Sequence, residues 1–167
     1  MKKILALCMA LLLLFSLVAC GDKKDDDNDA DNTPAAKEYY VMYNGVKLEV
    51  GVEAKKVISK LGEYKSEDGE ACGTNEKDVI YTVSGIEIET HVKGESEIVR
   101  QIKITNDSQK TVKGITIGSS KDDVIKAYGK SYKEGSSGAL RYEGGSSAIE
   151  FHFSSSGNVS NIYIKKK

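Results

Sequence analysis

One pattern of apolar residues and glycines occurs twice in this chain, and no other feature constrains its fold as much. Residues 48–51 (LEVG) match residues 115–118 (ITIG) at a spacing of 67 residues. Residues 86–88 (IEI) match residues 149–151 (IEF) at a spacing of 63. The smaller spacing means that the second copy is shorter, and we assign the difference to its loops. Self-similarity of this kind predicts a tandem repeat.

Each copy contains one predicted helix that follows a short extended segment, at 46–50 and at 115–117. Apolar side chains fall on one stripe of a helix over about 52–61 and again over about 120–128. Each helix is followed by a glycine, Gly62 or Gly129, which suits a C-terminal cap.

The start of the second helix has the composition of a capped N-terminus. Ser119 is the predicted N-cap, with Asp122 three residues further on.

Strict alternation of apolar and polar residues predicts half-buried antiparallel strands in both copies. The turns between them are predicted at 93–95 and 156–158, where a glycine lies at the centre. The predicted fold class is α+β: two tandem repeats, residues 39–107 and 108–167, each a short helix packed on one face of a small antiparallel sheet. The strands are predicted at or near 78–83, 86–91, 99–104, 139–143, 149–154 and 159–164.

The beginning of the chain has the parts of a secretory signal. Two lysines precede an apolar stretch of about 15 residues, which is shorter than the roughly 20 that span a bilayer as a helix. Small residues follow, as they do before a cleavage site. Residues 1–19 are therefore a predicted signal peptide.

Cys20 ends the run Leu-Val-Ala-Cys and is followed by Gly21. This box resembles the signal of bacterial lipoproteins. The resemblance implies cleavage before Cys20, a diacylglyceryl group on its thiol, and anchoring at the extracytoplasmic side of the cell membrane. An ordinary signal peptide that contains a cysteine is the alternative.

Residues 20–38 are predicted to be the lipid anchor and an acidic, disordered tether. Positions 21–38 hold seven acidic residues and three lysines, with no side chain suited to a hydrophobic core. Calcium binding is the alternative for such a run, but the spaced glycine and closing glutamate of a calcium loop are missing.

Composition restricts the classes of partner and site. Residues 39–167 carry 19 basic and 18 acidic side chains, so nothing favours binding to nucleic acid. With Cys8 in the signal and Cys20 lipidated, Cys72 alone remains, and no disulfide can form within the mature chain. We expect Cys72 to be a partly buried thiol without a catalytic role.

Residues 114–129 (GITIGSSKDDVIKAYG) and the later strand 159–164 (VSNIYI) resemble a group of small exported domains. They are similar to β-lactamase-inhibitor-protein-like domains and to small outer-membrane-assembly lipoproteins, over residues 45–167. The resemblance implies a helix-plus-sheet repeat and a general protein-binding role. It departs from the inhibitor, each of whose repeats is held by a disulfide, so no target or binding residue is carried over.

No motif for catalysis is present, and we expect neither an enzyme nor a cofactor. The chain lacks a Gly-x-Ser-x-Gly elbow, a phosphate loop and a His-Glu-x-x-His motif. His91 and His152, in comparable strands, could form a metal site with Glu89 and Glu150 across the two repeats. Exposure on a strand explains both histidines equally well, and no metal ligand is assigned.

Polar residues of the predicted strands form the candidate binding surface. If the two sheets lie side by side with the helices behind them, these residues make one broad polar and aromatic face, in which Tyr163 supplies an exposed ring. The predicted function is a membrane-anchored, non-catalytic protein-binding lipoprotein, of which an inhibitor-like protein is the most specific form, with an envelope or secreted protein as partner. The alternatives are a structural or assembly lipoprotein and a small-ligand or metal sensor. The predicted partner-binding residues are Glu87, Glu89, His91, Gln101, Lys103, Arg141, Glu150, His152 and Tyr163.

Overall fold

The computed structural model describes residues 38–71 and 76–167. The predicted signal peptide, the lipidated Cys20, the tether before residue 38 and Cys72 lie outside the described residues. Neither helix in the part that is described has the length and apolar character needed to cross a bilayer.

Ten strands and two short α-helices make up the described chain. In chain order they are β1 (Tyr40–Tyr43), β2 (Val46–Glu49), α1 (Ala54–Ile58), β3 (Lys65–Ala71), β4 (Glu76–Val83), β5 (Ile86–Lys93), β6 (Ser96–Ile104), α2 (Lys121–Tyr128), β7 (Lys133–Glu134), β8 (Leu140–Glu143), β9 (Ser147–Phe153) and β10 (Val159–Lys166). A single 3₁₀ turn at Ser136–Gly138 precedes β8.

The predicted fold class is wrong, because the strands do not form two separate helix-on-sheet repeats. Strands β3 to β10 form one antiparallel sheet of eight strands in the order β3-β4-β5-β6-β10-β9-β8-β7, and β1 and β2 form a separate two-stranded sheet. The last strand of each expected repeat, β6 or β10, is the neighbour of the other, with Ile164 opposite Ile102. This pairing satisfies the backbone groups that two separate sheets would each leave open at an edge.

Two finer predictions are also wrong. Residues 115–117 form no strand, because the Ile115 amide is bonded to the side chain of Thr111, at 3.1 Å, and not to a neighbouring strand. Ser120, and not Ser119, caps α2: the Asp123 amide donates to Ser120 Oγ at 3.1 Å, and the Ser120 amide donates to the Asp123 carboxylate at 3.2 Å. Ser119 Oγ accepts instead from the Thr116 amide.

The core lies between one face of the large sheet and a layer made of α1, α2 and the β1–β2 hairpin. Alternate residues of β5, β6, β9 and β10 are fully buried there, as period-two patterning requires. Val57 of α1 and Val124 of α2 belong to the same cluster of buried side chains. The helices and the hairpin of the described chain therefore all lie on one face of the sheet, and none of them covers the other face.

A tight hairpin turn joins β1 to β2. Asn44 and Gly45 occupy positive φ angles of 47° and 79°, as a two-residue turn of this hand requires. Val41 and Leu48, which pair across the hairpin, are completely buried. The hairpin is thus part of the layer that covers the core.

Glu38, at the start of the described chain, is fixed to the folded part. Its carboxylate accepts from the Ser146 amide at 2.9 Å and from Ser147 Oγ at 2.9 Å. The hydrogen bond from the Ser146 amide is the main reason that the pKa of Glu38 is lowered.

Candidate functional site: the open face of the sheet

The surface of the eight-stranded sheet opposite the core, called here the open face, carries all the predicted binding residues. Because side chains alternate along a strand, the residues between the buried positions of each strand point to this face. Their distribution is as follows: Glu87, Glu89 and His91 on β5, Gln101 and Lys103 on β6, Tyr163 on β10, Glu150 and His152 on β9, and Arg141 on β8.

Five of these residues form a single row across five strands. Glu87 is opposite Lys103, Lys103 opposite Tyr163, Tyr163 opposite Glu150, and Glu150 opposite Arg141. Directly opposite residues on one face of an antiparallel pair are within contact distance. The row therefore alternates acid, base, aromatic ring, acid and base across the middle of the sheet.

Glu150 is the centre of the charged groups at one end of the row. Lys165 Nζ donates to it at 2.7 Å, Arg141 donates through Nη1, and His152 Nε2 lies 3.5 Å away. Burial by itself raises the pKa of Glu150, but the hydrogen bonds from Lys165 and Arg141 outweigh it and leave the pKa below its usual value. Glu150 is consequently held as a carboxylate among cations.

Tyr163 is the large aromatic side chain of the row. The His152 ring meets it edge to face at a centroid distance of 5.0 Å, and Lys165 Nζ lies 5.1 Å from the ring centroid. These contacts fix the ring orientation without burying the side chain completely. A half-buried, oriented tyrosine is the type of residue that contributes most at protein interfaces.

A second group of charges lies at the β4–β6 side of the open face. Asp78 accepts from Arg100 Nη1 at 3.2 Å and lies 2.9 Å from His91 Nδ1. Arg100 Nη2 also lies 2.8 Å from Glu89, which accepts from Gln101 at 2.8 Å. The charges on this part of the face are therefore paired with one another.

Sequence reasoning missed several members of the open face. Asp78 and Lys165 lie at the same strand parity as their predicted neighbours, so the alternation that identified His91 and Tyr163 would also have found them. Arg100 gave no such signal, because it is the extra residue of a β-bulge between the Glu89–Gln101 and Thr90–Val99 pairs.

The two histidines do not converge on one site. The strands of His91 and His152 are separated by β6 and β10, so three strand steps of about 4.8 Å put them about 14 Å apart across the sheet, and the strand register offsets them by a further six residues, about 20 Å, along it. A single zinc ion needs ligand nitrogens at about 2.0–2.1 Å. Within residues 38–71 and 76–167, no group of three or more potential metal ligands comes together.

Among the described residues, neither imidazole is hydrogen-bonded to a serine hydroxyl. The His91 ring is hydrogen-bonded to Asp78, with Glu76 at 3.4 Å, whereas His152 Nε2 lies 3.5 Å from Glu150 and has no hydrogen-bond partner in the described chain. A serine or cysteine nucleophile requires a base within hydrogen-bonding distance of its oxygen or sulfur. The arrangement is suited to contact with another surface: paired charges around an oriented tyrosine.

The chain matches no protein-family model, and it has no significant match among the curated proteins or among the solved structures.

Proposed function

We propose that this chain is a lipid-anchored extracytoplasmic protein that binds another envelope or secreted protein through its open face and has no catalytic activity. The anchor is supported by the Leu-Val-Ala-Cys box that ends at Cys20. The binding role is supported above all by the row from Glu87 to Arg141, which crosses five strands on a face that no helix or hairpin of the described chain covers.

Because the carboxylates of the open face are already paired, we expect the partner to be recognised more by shape and aromatic contact than by net charge. The carboxylates of Glu87, Glu89 and Glu150 already have basic or amide partners. A partner that replaced these pairs would have to compensate for separating them. Tyr163, at the middle of the row, supplies the contact area that such a partner would bury.

Capture from envelope extracts tests the proposal. The full chain, solubilised in mild detergent, is compared with a Tyr163→Ala/His152→Ala variant. The control is Tyr64→Ala/Lys126→Ala, which alters an exposed tyrosine and an exposed lysine outside the open face. We expect one protein to be retained by the wild type and the control and lost with the first variant.

Retention of the same protein by all three chains would contradict binding through the open face. If the captured protein is an enzyme, its turnover with and without the chain separates an inhibitor from an assembly protein. Loss of turnover on binding identifies an inhibitor, and unchanged turnover identifies a structural role.

A further inference from the structure

A cleft of about 460 Å³ lies beside β6, at the end of the sheet where β10 stops. Its size is within the range of about 300–1,000 Å³ that is common for small-molecule sites. The residues that line it are His91, Lys93, Ser96, Ile98, Arg100 and Lys166.

Backbone pairing creates this cleft. β10 follows β6 only as far as the Lys165–Gln101 pair. Beyond the bulge at Arg100, β6 pairs instead with the segment that enters α1: the Gly51 amide donates to the Val99 carbonyl at 2.7 Å, and the Val99 amide donates to the Val52 carbonyl at 2.9 Å. The cleft opens where one neighbour of β6 ends and the other begins, so its position is fixed by the sheet.

The polar side chains that line the cleft are predominantly hydrogen-bond donors. Lysine and arginine carry donors and no acceptor, and Ser96 can donate one hydrogen bond, whereas His91 is engaged by Asp78. No carboxylate lines the cleft. A ligand that hydrogen-bonds to these donors must supply acceptors, and an oxyanion supplies the strongest ones.

Carboxylates outside the cleft hold two of its cations in place. Glu76 lies 2.6 Å from Lys93 Nζ, and Arg100 is held by Asp78 and Glu89. Each cation keeps further N–H groups for a ligand, since a lysine has three and an arginine has five. Within the described residues, Lys166 forms no ion pair at 4 Å or less, unlike its neighbours Lys165 and Lys167.

We propose that this cleft binds the phosphate or carboxylate group of a small organic anion, with the apolar part of that molecule against Ile98. Lys166 and Arg100 bind the oxyanion from the two sides of the cleft. The three carboxylates that hold Lys93 and Arg100 reduce the attraction, so the affinity is modest and falls as salt is added. The cleft shares His91 and Arg100 with the edge of the open face, but Tyr163 and His152, on which the proposed protein partner is tested, do not line it.

Binding of phenyl phosphate and of benzoate to the full chain tests the site, with chemical shifts of the Ile98 methyl groups as the readout. We expect both anions to shift these signals in a saturable way and neutral benzyl alcohol to leave them unchanged. Lys166→Gln should weaken binding about fivefold or more, because a charge-assisted hydrogen bond is lost. Lys126→Gln, the same change at an exposed position of α2, should have no effect.

A second comparison identifies the source of the anion. Vesicles of phosphatidylglycerol that retain the wild type better than Lys166→Gln, with phosphatidylcholine vesicles as the blank, would assign a lipid headgroup. Binding of free phenyl phosphate without such retention would assign a soluble molecule. Equal affinity of the Lys166 and Lys126 variants for both anions, or absence of any anion-dependent shift at Ile98, would overturn the proposal. The Tyr163→Ala/His152→Ala variant should bind phenyl phosphate normally, so this test does not depend on the outcome for the open face.

Discussion

The two halves of the large sheet share their strand pattern but differ in what fills the core beneath them. In the N-terminal half, β3–β6 with α1, the fully buried side chains of the central strands are aliphatic apart from Thr90, as with Ile86 and Ile88. In the C-terminal half, α2 with β7–β10, Tyr128, Tyr142 and Phe151 pack ring against ring at centroid distances of 4.9–6.1 Å.

The helices of the two halves differ in the same way. α2 has eight residues and a complete capping box, whereas α1 has five residues and its N-cap, Glu53, makes no side-chain hydrogen bond to the helix. The same spacing of apolar residues therefore places a helix in both halves. The capping side chains differ, so the N-terminus of α2 is hydrogen-bonded by side chains and that of α1 is not. Because β6 and β10 join the halves in one sheet, local differences between them should appear within a single unfolding transition.

The largest loss of stability should come from a substitution at the centre of the aromatic cluster. Phe151→Ala should lower the free energy of unfolding by about 3–5 kcal/mol, since it removes a fully buried ring and leaves a cavity. Ile88→Val in the aliphatic half should cost only about 0.5–1.5 kcal/mol. Urea unfolding followed by circular dichroism measures both, and two separate transitions in either variant would contradict a single cooperative sheet.

High pH should act on both halves, since burial also raises the pKa of Tyr81 in β4 to about 12, but the C-terminal half holds two such tyrosines. Burial raises the pKa of Tyr128 to about 12 and that of Tyr142 to about 12. Because the unfolded chain ionises near 10, their contribution is complete below pH 10 and is lost as the pH rises towards 12, by at most about 2–3 kcal/mol for each tyrosine. Tyr142→Phe removes the bond to the Gly129 carbonyl but should lessen the alkaline loss, measured as the change of urea midpoint between pH 9 and pH 11.

Low pH should weaken the ion pairs that Glu150 makes on the open face. The pKa of Glu150 is lowered, so its contribution is present above the ordinary glutamate value and is lost as the pH falls below that value. Glu150→Gln should reduce stability at pH 7 by about 1–2 kcal/mol and flatten the loss below pH 4.5, as urea midpoints would record. Glu63→Gln, at an exposed position of the other half, is the control, and equal pH profiles for the two variants would refute the role of Glu150.

The smallest difference should lie at the helix starts. Ser120→Ala should destabilise the chain by about 1 kcal/mol, because the Asp123 amide loses its acceptor. Glu53→Ala should change stability by less than about 0.5 kcal/mol, since only an exposed ion pair with Lys56 is removed. Thermal unfolding of the two variants measures the difference, and equal losses would show that the capping box does not distinguish α2 from α1.

Alternation and helical spacing predicted where most elements lie, because these signals are local. The strands that bury Ile88, Ile102, Ile149 and Ile164 were located correctly, and both helices were placed within a few residues. The β1–β2 hairpin was missed, although Asn44-Gly45 between two short apolar runs is a strong signal for it.

The joining of the halves could not be predicted from the same signals. Period-two patterning states which side chains of β6 and β10 are buried, but Ile102 and Ile164 would suit any neighbouring strand. The choice of partner depends on contacts between residues about 60 positions apart along the chain. The placement of the candidate residues on one face was predictable, since it needs only the alternation of side chains along each strand. The Arg100 bulge and the cleft beside it were not, because they depend on that distant pairing.

The pairing of β10 between β6 and β9 has a consequence for the order in which this sheet can be completed. β10 is the last of the ten strands to be synthesised, yet it occupies the middle of the sheet. Until it is in place, the newly made β3–β6 segment exposes the unpaired edge of β6, an open template for association with other chains. Rapid insertion of the last strand is therefore a condition for avoiding aggregation. A truncation before residue 159 would leave two half-sheets with unpaired strand edges in place of one continuous sheet.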